Sequence, residues 1–194
     1  MKLLLIFLFF FTIYNFAFAE SKWSHSSGNY EGHKHSVHKQ INENNISNLN
    51  ITWKFNSNKT NGRNVVQTTP IYIDSKVIIV DIYGGVYALN PKNGLEIWNV
   101  KLNPPVGRRG ITATRGKNPK IYISTKYVIE LDARNGNILK KFKSGLSLLP
   151  PIIDENKLFV ATLKNGVKAF DLNNSELLWE FSLKKNNVEP RIWS

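Results

Sequence analysis

One frame, roughly forty residues long, occurs three times in this chain, and that recurrence limits the fold more than any other feature. Residues 87–98 read Tyr-Ala-Leu-Asn-Pro-Lys-Asn-Gly-Leu-Glu-Ile-Trp, and residues 168–179 read Lys-Ala-Phe-Asp-Leu-Asn-Asn-Ser-Glu-Leu-Leu-Trp. The shared pattern is Ala, an apolar residue, Asp or Asn, a short turn, then apolar–x–apolar ending in Trp. Residues 129–140 keep Leu131-Asp132 and Asn135-Gly136 but end on Lys140, without the Trp. From Ala88 to Glu130 is 42 residues, and from Glu130 to Ala169 is 39. A period near 40 is that of propeller blades, each made of four strands.

The local patterns agree. Before each frame lies a β-rich run: Val77–Val80, Ile121–Ser124 and Leu158–Ala161. One strand earlier come Ile71-Tyr72-Ile73 and Ile152-Ile153, each after a Pro. Asp74-Ser75, Tyr83-Gly84-Gly85, Asn93-Gly94, Asn135-Gly136 and Lys164-Asn165-Gly166 read as hairpin turns, because Asn and Gly accept positive φ cheaply. After residue 19 no window longer than about ten residues carries a helical period, so strands are the expected element throughout. The prediction is an all-β chain: a β-propeller of four-stranded antiparallel blades, with about three blades present.

Composition removes several function classes. The chain has no Cys, which excludes a thiolate nucleophile, a disulfide, an Fe–S cluster and Cys-ligated zinc. Its 26 Lys and Arg against 14 Asp and Glu leave a net charge of +12. The cations are scattered singly (Lys54, Lys76, Lys101, Lys120, Lys157), which reads as a solvated surface and not as a nucleic-acid footprint. Residues 1–19 read as a signal peptide: Lys2, a continuous apolar run from Leu3 to Phe11, and Ala17-Phe18-Ala19 before the expected cleavage at Glu20. The competing reading is an uncleaved anchor, since the run approaches the roughly 18 residues a span needs. No other stretch does so, and residues 20–194 form the expected propeller part with no membrane span. The expected location is the periplasm.

The frame residues have structural work first. Trp98 and Trp179 each bring a large apolar body and one N–H donor, suited to wedging between blades. Asp132 and Asp171 suit turns, where a carboxylate accepts backbone N–H groups, and Asn90 would do so more weakly.

The unit Ala-x-Asp-x-x-x-Gly-x-x-x-Trp resembles the docking motif of quinoprotein propellers. The opening, Trp23-Ser24-His25-Ser26-Ser27-Gly28, then residues 40–49 (Gln-Ile-Asn-Glu-Asn-Asn-Ile-Ser-Asn-Leu), then Trp53-Lys54-Phe55, resembles the N-terminus of pyrroloquinoline-quinone (PQQ)-dependent alcohol and glucose dehydrogenases. The likeness runs from Lys22 to Ser194. It implies an eight-bladed ring of which this chain holds the front part, either of a longer protein or as a truncated product. The implied reaction oxidises a small alcohol or sugar, with hydride passing to PQQ and electrons to a cytochrome or ubiquinone. Calcium is implied only for the full-length protein, and the catalytic acid is expected beyond Ser194. The piece by itself is expected to be inactive.

The resemblance also implies cofactor contacts. Gln67 of Gln67-Thr68-Thr69-Pro70, Arg109 of Arg108-Arg109-Gly110-Ile111, Ser147 three residues before Pro150, Thr162 of Val160-Ala161-Thr162, and Trp193 match positions around or beneath the quinone. A guanidinium suits a carboxylate or quinone oxygen through paired donors. Each has a structural alternative: a solvent-facing Arg109, a strand-start Gln67, ordinary β residues at Ser147 and Thr162, another blade wedge at Trp193. If they share a ligand they must converge on one end of the propeller axis. The chain departs from the family in two ways. It lacks the adjacent cysteines some branches place before the Arg-Gly segment. After Thr162, where methanol-type enzymes have a metal-binding acid, it has Leu163-Lys164-Asn165-Gly166, so no metal ligand is assigned.

His25, His33, His35 and His38 lie in a Gly- and Ser-rich stretch with poor metal spacing and read as an exposed loop. The sequons at Asn45, Asn50, Asn58 and Asn173 read as chance in an Asn-rich chain. A second function class stays open: a non-catalytic propeller serving as a binding or assembly scaffold in the cell envelope. The Trp23 opening and Arg109-Gly110 favour the dehydrogenase.

Overall fold

The computed structural model describes residues 23, 26–28, 32–57, 68–81, 83–103, 109, 111–164 and 166–183. Among the described residues twelve strands form three four-stranded sheets in which each strand pairs antiparallel with the next. Blade 1 comprises β1 (Ile71–Ile73), β2 (Lys76–Val80), β3 (Gly85–Leu89) and β4 (Glu96–Lys101). Blade 2 comprises β5 (Ile111–Thr114), β6 (Lys120–Ser124), β7 (Val128–Asp132) and β8 (Ile138–Phe142). Blade 3 comprises β9 (Ile152–Asp154), β10 (Lys157–Thr162), β11 (Gly166–Asp171) and β12 (Leu177–Phe181). The all-β propeller architecture, the count of three blades and the strand runs expected from the sequence are all present.

The turns work as their residues require. Asp74 and Ser75 have φ of 48° and 56°, the two positive values of a type I′ hairpin. At the frame turns, Asn90 Oδ1 accepts from Lys92 N at 2.9 Å, Asp132 Oδ1 from Arg134 N at 2.8 Å, and Asp171 Oδ1 from Asn173 N at 2.7 Å. The same β-bulge recurs in every blade, between Ala88 and Leu89, Glu130 and Leu131, and Ala169 and Phe170. An extra residue there bends the outer hairpin and re-aims the side chain that follows.

Each inter-blade seam is a separate core. The first packs Ile71, Ile78, Val80, Val86 and Ala88 of blade 1 against Ala113, Ile121, Ile123, Ile129 and Leu131 of blade 2, with Trp98 and Val100 against the edge. The second packs Tyr122, Val128 and Phe142 against Ile153, Leu158, Val160 and Phe170. Trp98 wedges between blades as expected, its Nε1 donating to Ala133 O at 3.2 Å. Trp53, in the segment before blade 1, packs on that blade's frame turn, donating to Pro91 O at 2.9 Å, and the Phe55 and Tyr87 rings lie tilted with centroids 5.1 Å apart. Trp179 differs. It lies on the far face of blade 3 beside Phe159, with no described blade to wedge against, and is 45% exposed.

Candidate functional site

Strand register decides which ends of the blades come together. Ala88, Glu130 and Ala169 of the frames pair with Ile78, Tyr122 and Phe159, so those three positions are equivalent. Counting three residues on, Asp81, Thr125 and Thr162 are equivalent caps where the second strand of each blade ends. Ile71, Thr112 and Ile152 pair with the same three positions. The chain entering each first strand (Thr68, Arg109, Leu149) therefore stands level with these caps, at one end of the blades.

The linker between blades 2 and 3 ties this end together. Arg109 N donates to Leu148 O at 3.1 Å, Ser147 N to Thr125 O at 3.1 Å, and Leu163 N to Leu146 O at 2.8 Å. Ser124 Oγ donates to Leu149 O at 2.7 Å. One linker thus gathers Arg109, Ser147 and Thr162. Gln67 and Trp193 lie outside the described residues.

The three side chains differ in availability. Ser147 is fully buried; its hydroxyl donates to Leu149 O at 3.2 Å and accepts from Leu149 N at 3.3 Å. Thr162 is buried and donates to Gly166 O at 3.0 Å, much as Thr125 donates to Tyr127 O at 2.8 Å. Both hydroxyls brace their own loops. Arg109 is exposed, and its guanidinium has no partner among the described residues. Beside Thr162 a cleft of about 160 Å³ is lined by Leu146, Thr162, Leu163 and Lys164.

Sequence reasoning missed Asp81. Its carboxylate is buried, accepts from Tyr83 N and Gly85 N at 2.8 Å each through Oδ1, and from the Tyr87 hydroxyl at 2.9 Å through Oδ2. Burial, then the Asp81 carboxylate, pushes the Tyr87 phenol up to about 12. The available signal was positional: Asp81 stands one blade-repeat before Thr125 and two before Thr162.

The cleft, with an ammonium at Lys164 and apolar walls from Leu146 and Leu163, suits an anion; Arg109 meets the same linker through its backbone at Leu148 O. The cleft does not suit a divalent cation. Among the described residues no three His, Cys, Asp or Glu side chains come together, and Lys164 puts positive charge in the cleft.

The fold and this axial end define the class: a partial propeller of quinoprotein-type blades. The chain belongs to the family described as the PQQ glucose/ethanol/alcohol dehydrogenase β-propeller domain, which it matches over residues 23–149. Quinohemoprotein alcohol dehydrogenase of Comamonas testosteroni is 23% identical, over 87% of this chain and 27% of its own length. Among solved structures, that enzyme superposes with a TM-score of 0.70 at 21% identity, covering 84% of this chain and 27% of the other. A europium-containing methanol dehydrogenase superposes at 0.68 and 24% identity, covering 82% and 31%. The chain spans about a quarter of the length of this curated relative.

Proposed function

We propose that this chain forms part of a quinoprotein dehydrogenase that oxidises an alcohol or sugar with PQQ, held at the end where Arg109, Ser147 and Thr162 gather. Family membership supports the cofactor class. The observation that carries the site is the free guanidinium of Arg109 at the entry to the first strand of blade 2. PQQ, when bound, would supply the hydride-accepting quinone chemistry. Arg109 would grip a carboxylate or the quinone oxygen with paired donors. Lys164 would add a second cation, and Leu146 and Leu163 would exclude water from one edge. Ser147 and Thr162 would hold the two loops that carry these groups. Calcium has no ligand set among the described residues. An exported, periplasmic protein acting on a small alcohol or sugar, with a cytochrome or ubiquinone as acceptor, completes the reading.

The scaffold reading is favoured by one observation: the Ser147 and Thr162 hydroxyls are already engaged with backbone. Titrating PQQ into the chain, followed by quenching of its indole fluorescence, separates the two. The expected result is weak, saturable binding that Arg109→Ala lowers by about 1.5–3 kcal/mol, the worth of a hydrogen bond to a charged group. Equal affinities in folded parent and variant would remove Arg109 from the site. No saturable binding at all would favour the scaffold.

A further inference from the structure

The frame turns receive a side chain from the chain that precedes their blade, and they do so in two chemical forms. On blade 1, Trp53 donates to Pro91 O, and its ring covers Gly94; a Cβ built on Gly94 would lie 2.7 Å from the ring. On blade 2, Trp98 donates to Ala133 O, and a Cβ on Gly136 would again lie 2.7 Å from the ring. On blade 3 the equivalent carbonyl is Leu172 O, and the donor is the ammonium of Lys140, which also donates to Asn173 O at 2.8 Å. The residue in the glycine position is Ser175, at φ 66°. All three turns close alike: Gly94 N to Asn90 O at 2.8 Å, Gly136 N to Asp132 O at 2.8 Å, Ser175 N to Asp171 O at 2.9 Å.

The cross-strand neighbour changes too. Ala88 faces Trp98 and Ala169 faces Trp179, but Glu130 faces Lys140. Glu130 is fully buried, with Lys120 Nζ 2.8 Å from its Oε1. A small residue leaves room for an indole on the strand beside it. The Glu130 carboxylate is paired with Lys120, while the Lys140 ammonium is taken up by the Leu172 and Asn173 carbonyls of the next blade.

We propose that Lys140 and Ser175 form a matched docking pair that replaces the Trp–Gly pair at the second seam. An indole lies flat on the turn and needs a bare Cα beneath it. An ammonium reaches the same carbonyl end-on and leaves space for a side chain. The pair therefore keys the turn of blade 3 to the outer strand of blade 2.

The test is a double-mutant cycle on the 194-residue chain, read by denaturant unfolding. Lys140→Trp alone should lower the folded-to-unfolded ratio about tenfold or more, and Ser175→Gly alone should change it by less than about fivefold. The double variant should recover at least about tenfold over Lys140→Trp, the size of coupling expected of touching residues. Effects that multiply independently would overturn the pairing. If Lys140→Trp does not fold, folding of the double variant supports the pair and its failure to fold overturns it. In the double variant the introduced indole should be shielded from acrylamide; free quenching would overturn its docking on the turn.

Discussion

Asp132 shows how one carboxylate serves a turn. Its Oδ1 accepts from Arg134 N and Nε, and its Oδ2 from Arg134 Nη2. The hydrogen bonds from the Arg134 side chain hold the carboxyl down at about 2, against the opposing pull of its burial. Because the folded value lies below the unfolded one, about 3.9, Asp132 adds stability above that pH. The contribution is lost as pH falls from about 4 to about 2. Arg134→Ala should therefore raise the Asp132 pKa toward 3.9, seen by carboxyl NMR titration, and move acid unfolding to higher pH. Asp132 and Asp171 were legible as turn acceptors because their partners lie two residues on. Asp81 was not, since its third donor, Tyr87, reaches it only after the hairpin has set its register.

At the scale of the element, the frame turn and the incoming Trp form one unit. Gly94 has φ 70° and lies under the Trp53 ring. Gly94→Ala combines left-handed strain with a clash against a held indole. It should cost about 1–3 kcal/mol, the range for strained backbone sites, measured by denaturant unfolding and accompanied by a shift in indole emission. A stability unchanged within about 0.5 kcal/mol would mean that Trp53 does not need the turn. The period, the turns and most strands were legible because hairpin pairing is local. β5 was harder to see: it reads Ile111-Thr112-Ala113-Thr114, its entry has no Pro, and its burial is decided by blades on both sides.

Over the whole molecule, two sequence features stand at the open margins of the described arc. One is the exposed face of blade 3, where Ile152, Trp179 and Phe181 are 50%, 45% and 61% exposed. The other is the segment before blade 1, where Trp53 docks although residues 51–57 pair with no strand. The proposed export belongs to this scale as well. Expressed in a bacterium, the chain should be recovered from the periplasmic fraction with Glu20 at its N-terminus, read by intact-mass spectrometry. Soluble cytoplasmic protein retaining Met1 would overturn the export proposal. Among the described residues no helix is long and apolar enough to cross a membrane.

What the sequence determined by itself was whatever depends on neighbours within one hairpin or one repeat. That covers the blade period, the turn residues with their positive φ, the absence of thiol chemistry, and the family to which the Trp23 opening and the Ala-x-Asp frame belong. The tertiary structure alone decided which groups meet across blades. It set Arg109 against Leu148 O, Ser147 against Thr125 O, and Lys140 against a turn more than thirty residues away. The physical reason is that a blade's own strands satisfy its backbone, whereas its side-chain faces are completed only by the next blade. A lone Lys at a Trp position looks like decay in the repeat until the facing turn shows a Ser in place of Gly.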